Sequence, residues 1–293
     1  MSEARIFEGG YRRYEGQRLG AAHATRAVWS HTLRRILGLG RPARSKVLPV
    51  LSIAIAYVPM VVFIGLAAFL PENIRDPLLP PYALTYTFIT AAILLFVIFV
   101  APEALCPDRR SGVLSLYLAT PLTRTRYLAA KAAAVATALL LVTLGPPLLY
   151  LIGLALQGAG PDGFTNFMAT LGRIVLAGVV LSGFYTGLSV GIASCTDRRA
   201  VAGAAVFFVP QAVNIALGIA VFALSAPEWL IGFSMNQGAI AFVLGLFGED
   251  FGENDGGNGY VIPMAALACG VLLWTVSGGA LAWWRYRRLQ VTR

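Results

Sequence analysis

The densest run of chemistry-bearing side chains lies between residues 102 and 131, and the chemistry it suits is recognition, not bond making. Glu103, Arg109, Arg110, Arg124, Arg126 and Lys131 surround an apolar stretch, 111–120. That stretch carries Gly112, Val113, Leu114, Leu116, Tyr117 and Leu118 and is closed by Pro121. About ten helical residues cover only ~15 Å, too little to cross a bilayer. Apolar side chains on so short a helix need a cover. Either the lipid interface or a groove on a separate protein would supply it. The arginines suit acidic groups on such a protein and phospholipid headgroups alike.

Catalytic constellations are missing from the sequence. No G-x-x-x-x-G-K-[ST] phosphate loop and no H-E-x-x-H pair occurs. The two histidines, His23 and His31, precede the first apolar span, so a His/Cys metal cluster within the spans is not available. The cysteines Cys106, Cys195 and Cys269 read as free thiols. No carboxylate pair lies at depth, where proton-coupled carriers and intramembrane proteases need one. The polar pair at depth is Gln211 and Asn214, three apart on one helix face beside Pro210, with Thr186 and Ser189 as candidate neighbours. It reads as interhelical hydrogen bonding, worth roughly 0.5–2 kcal/mol, or as part of a substrate path. A path with so little charge suits an amphipathic or lipid-like cargo better than a small ion. Gly183, Gly187 and Gly191 recur every four residues and leave one helix face nearly bare for close packing.

Six apolar spans position these groups: residues 47–70, 82–101, 132–156, 174–195, 200–224 and 261–284. Mean hydropathy is +0.71. Only 13% of residues are charged, about half the share usual in soluble domains. Of the 23 Lys and Arg residues, all but Arg75 and Arg173 fall on one side of the spans. Basic segments stay cytoplasmic, which places both termini inside. The net charge of +9 then belongs to that rim and faces anionic lipid, not nucleic acid.

The expected fold is an all-α integral membrane domain of six transmembrane helices preceded by an amphipathic interfacial helix. Residues 1–20 read as a cytoplasmic arm, 21–46 as the interfacial helix and its link, and 47–293 as the transmembrane domain. In the helix, Trp29, Leu33, Ile36 and Leu37 fall on one face and His31, Arg34 and Arg35 on the other. Pro59, Pro146-Pro147 and Pro210 should kink or interrupt their helices. Residues 225–259 read as an outer interfacial or re-entrant segment with an acidic, Gly-rich tip, because a seventh crossing would put the last basic cluster outside.

The order Glu103, Arg109-Arg110, Ser111-Gly112, a Leu-rich decapeptide, Thr120-Pro121-Leu122-Thr123-Arg124, then Lys131 opening a span resembles the type-2 permease family of ABC transporters. Gly187-Leu188-Ser189-Val190-Gly191, followed by Asp197-Arg198-Arg199-Ala200, is similar to that family's small-residue end of the fourth span and its basic turn. Cys106-Pro107 sets Glu103 farther from the arginine pair than the family pattern has it.

The resemblance implies a transmembrane permease subunit in the cell's inner (plasma) membrane, driven by a separately encoded ATPase and exporting an amphipathic or lipid-like substrate. It implies that Glu103, Arg109, Arg110, Gly112, Leu114, Leu116, Tyr117, Leu118, Pro121 and Arg124 dock that ATPase. ATP and Mg would sit on the ATPase dimer, with no cofactor on this chain, and a second permease copy or a paralogue would complete the transporter. Two other readings share the sequence: a membrane subunit that passes ATPase motion to a partner without transport, and a self-sufficient secondary carrier.

Overall fold

The computed structural model describes residues 19–119, 122–249, 251 and 262–288. Residues 1–18, Thr120 and Pro121, Asp250, residues 252–261 with most of the expected acidic tip, and the last five residues lie outside them. Among the described residues all the elements are helical. They run α1 (Ala21–Ile36), a 3₁₀ turn (Ala43–Ser45), α2 (Val47–Phe69), α3 (Glu72–Leu78), α4 (Leu84–Arg110), α5 (Leu114–Leu118) and α6 (Arg124–Thr143). Then follow α7 (Gly145–Leu156), α8 (Gly163–Ala193), α9 (Arg199–Phe222), a 3₁₀ helix (Glu228–Phe233), α10 (Gln237–Phe247) and α11 (Met264–Arg288). Among the described residues, six helical stretches are long and apolar enough to cross a membrane: α2, α4, α6 with α7, α8, α9 and α11.

Helix α4 is the axis of the bundle. It packs on α2, α6, α8 and α9, and its alanines and β-branched residues are buried along most of its length. Helices α8 and α11 form the tightest seam. A Cβ at Gly187 would lie 2.5 Å from the Thr275 carbonyl oxygen, and one at Gly191 would lie 2.7 Å from Cα of Gly278. Gly183 faces open space, so two of the three periodic glycines serve this contact, within the chain. By contrast α2 and α9 flank α4 with large apolar side chains outward, among them Val58, Val61, Phe208 and Ile215.

Several boundaries differ from the sequence expectation. The second span does not end at residue 101. Helix α4 runs on through Pro102 and Pro107 to Arg110, so residues 102–110 are helix and not a turn. Both prolines are buried among neighbouring helices, which hold the chain in line despite the lost N–H groups. The apolar helix between the spans is correspondingly shorter, five residues instead of ten. Helix α6 starts at Arg124, capped by the Thr123 hydroxyl, which accepts from the Arg126 N–H at 3.3 Å. The third span is interrupted at Leu144, with Pro146 and Pro147 in the first turn of α7, where missing N–H groups cost nothing. Pro59 and Pro210 lie inside helices that remain unbroken. Residues 228–247 divide into the 3₁₀ helix and α10, whose 11 residues reach about 16 Å, too short for a crossing.

Helix α1 lies along α6 and α4. Its buried stripe is Val28, Thr32 and Ile36, and Trp29 donates from Nε1 to the Thr137 hydroxyl at 3.3 Å. Arg35, assigned by periodicity to the outer face, turns inward beside that stripe. The reason is a buried acidic group, described next.

Candidate functional site

The end of the bundle where α4 stops and α6 begins gathers a network of charges. Asp108, on the last turn of α4, sits 2.6 Å from Nζ of Lys131 on α6. Its other oxygen takes the Arg35 guanidinium of α1 at 2.9 Å. Tyr127, one turn before Lys131, donates its hydroxyl to Asp108 at 2.7 Å. Five residues back on α4, Glu103 binds Arg35 at 3.1 Å, Arg41 at 2.7 Å and Arg199 of α9 at 2.6 Å. Burial is graded across the network. The Lys131 side chain is 1% exposed and that of Asp108 4%, while Arg199 is half exposed. Ion pairs so buried are held by geometry, since removing one partner strands the other charge.

Helix α5 hangs from this network. Ser111 ends α4, and Gly112 turns the chain with φ +69°, a left-handed conformation open to glycine. On α5, Leu114 packs partly against the core, and Tyr117 lies with its ring 5.5 Å from that of Tyr127. Burial, and next the charge of Asp108, push the Tyr117 phenol above its ordinary range. Leu116 points away and is 70% exposed. A continuous contact path therefore runs from α5 through Tyr117, Tyr127 and Asp108 to α1, α4 and α6. It branches to α11, because Tyr286 packs on the Tyr127 ring at 6.1 Å.

The residues expected to dock a partner fall into two groups. Glu103, Arg109 and Arg124 are engaged within the chain. Arg109 donates to the carbonyls of Ser194 and Thr196 at 2.5 and 3.1 Å, and Arg124 to those of Tyr286 and Arg287 at 3.5 and 2.8 Å. These arginines cap the C-terminal ends of α8 and α11, where carbonyls lack helical partners. Arg110, Gly112 and Leu116 face outward, and Leu114 and Tyr117 are partly buried. The Leu118 side chain and Pro121 lie outside the described residues.

The polar pair at depth is also used internally. Asn214 is buried. Its amide donates to Gln211 Oε1 at 3.3 Å, and its oxygen accepts the backbone N–H of Asn236 at 3.2 Å. The Asn236 side chain in turn accepts the Tyr185 hydroxyl at 2.7 Å. Asn214 thereby stitches the break between the 3₁₀ helix and α10 to α9. Of the expected neighbours, Ser189 bonds back to the Thr186 carbonyl at 3.4 Å.

Sequence reasoning did not single out Arg35, Arg41, Asp108, Tyr127 or Arg199 as site residues, and took Lys131 only as part of a motif. One signal was present. Lys131 is one of two lysines against 21 arginines and stands among alanines in an apolar helix, a position that demands a buried acid within reach. No family model matches this chain, and no curated protein matches it.

Proposed function

We propose that this chain is the transmembrane permease subunit of an ABC transporter, an exporter of amphipathic or lipid-like cargo, and that α5 is where a separate ATPase docks. The observation that carries the reading is α5 itself. It is a five-residue helix presenting Leu116 outward while its inner side rests on Tyr127 and, through it, on the Asp108 network. Push applied to α5 has a direct contact route to α1, α4, α6 and α11. A helix that merely covered its apolar side chains would not need that connection.

In this reading the basic end is cytoplasmic, both chain ends lie inside, and the membrane is the cell's inner (plasma) membrane. The chain itself hydrolyses nothing. ATP and Mg belong to a dimer of ATPase subunits, and each half of that dimer calls for its own membrane half. A second copy or a paralogue supplies the other half, and the outward apolar faces of α2 and α9 are the surfaces we assign to it. Arg110 and Leu116 carry the outward docking contacts. Glu103, Arg109 and Arg124 hold the docking segment to the bundle.

Leu116→Asp tests the docking. It buries a charge in an apolar groove of the partner, at several kcal/mol, and changes a side chain that is 70% exposed in this chain. The variant should insert and melt like the parent but lose the co-purifying ATPase activity. Full retention of that activity would show that docking lies elsewhere.

A further inference from the structure

A cavity of 370 Å³ opens beside the charge network, between α1, α2, α4 and α9. That volume falls within the about 300–1,000 Å³ of small-molecule sites. Its two ends differ in chemistry. At one end the Arg35, Arg41 and Arg199 guanidiniums, with five N–H donors each, converge on the two oxygens of Glu103. The rest of the wall is mostly apolar, including Leu48 and Pro49 of α2, Phe96 and Phe99 of α4, and Ala204 of α9, with Ser45 and Ser52 as its other polar residues. Among the described residues, four cations in the network, Arg35, Arg41, Lys131 and Arg199, face two carboxylates, Glu103 and Asp108. The surplus positive charge sits on Arg41 and Arg199, the two most exposed members. A mostly apolar chamber whose polar end holds more guanidiniums than carboxylates calls for an anion that carries a hydrocarbon chain.

We infer that this cavity holds an anionic phospholipid of the surrounding bilayer, its phosphate on Arg41 and Arg199 and one acyl chain along Leu48, Phe96 and Phe99. Guanidinium pairs phosphate through short charge-assisted hydrogen bonds, so the charged end sets which lipid enters. The apolar wall sets that it is a lipid and not a free anion. The occupant bridges the link after α1 to α9, two elements that also share Glu103 as an ion-pair partner. This site stands whether or not α5 docks an ATPase.

The test uses the full chain, purified in neutral detergent and stripped of lipid. Binding of short-chain phosphatidylglycerol, short-chain phosphatidylcholine and inorganic phosphate is measured by thermophoresis. Phosphatidylglycerol should bind about tenfold or more tighter than phosphatidylcholine, as expected for basic contacts with an anionic headgroup, and inorganic phosphate should not compete at matched concentration. The double variant Arg41→Gln/Arg199→Gln should remove the preference for phosphatidylglycerol. Ala204→Phe, which fills the chamber from an exposed position and leaves every charge in place, should weaken both lipids together. If the charge variant does not fold, Ala204→Phe decides alone. Equal binding of the two lipids, full competition by inorganic phosphate, or unchanged binding in Ala204→Phe would each overturn the assignment.

Discussion

Two buried polar clusters organise this bundle, and they are built on opposite plans. The Asn214 cluster is neutral and closed. Gln211, Asn214, Asn236 and Tyr185 pass hydrogen bonds to one another, and they join α9 to the break before α10 and to α8. The Asp108 cluster is charged and open. Its core, Asp108 with Lys131, is sealed, but its rim reaches Arg41, Arg199 and a cavity, and Tyr127 connects it to an exposed helix. Neutral amides satisfy one another without neighbours and so serve as a staple. A charge cluster with surplus cations responds to what approaches its rim. In the proposed function, the difference separates a structural junction from the working end of the molecule.

Stability measurements can break this contrast, beginning where the effect should be greatest. Asp108→Asn strands the Lys131 charge in a sealed site and should cost about 3–5 kcal/mol in unfolding free energy, read as a lowered denaturation midpoint in detergent. Combining it with Lys131→Met removes both charges and should recover most of that loss. Additive losses in the double variant would mean that the two groups are not a pair. Asn214→Ala leaves the buried Asn236 N–H without its acceptor and should cost about 1–3 kcal/mol. It should leave co-purification with an ATPase untouched. Impaired partner binding in this variant would erase the division between staple and working end. Arg41→Gln lies on the rim, a third exposed, and should change stability by under about 1 kcal/mol. A loss as large as that of Asp108→Asn would mean that the rim is as sealed as the core.

Much of the architecture was legible in the sequence, for a physical reason. A bilayer demands long apolar helices, so composition alone marked the six spans; at 229–247 the one-sided basic charge argued against a crossing, and α10 there has only 11 residues. The packing of Gly187 and Gly191 followed from their spacing. Helix ends were harder. The apolar run of the second span stops at residue 101, yet neighbours that only tertiary structure supplies keep α4 helical through Pro102 and Pro107 to Arg110. The ion pairs were hardest. Asp108 meets Lys131 and Arg35 across 23 and 73 positions of chain, and no local spacing links them. Arg35 looked solvent-facing because periodicity ranks faces by hydrophobicity, and a buried acid reverses that ranking at one position. The arginines at 109 and 124 carried the right charge for a docking surface but find carbonyls of their own chain first.

The central claim, that α5 is the point where an ATP-hydrolysing partner takes hold, is tested most directly by a photo-crosslinking residue placed at Leu116 in the native membrane, with the same residue at outward-facing Val58 of α2 as the control. The account predicts that the probe at Leu116 is joined to a polypeptide that binds and hydrolyses ATP, and that the probe at Val58 is not. Crosslinks from Leu116 to lipid alone, in cells where the chain is assembled and active, would contradict it.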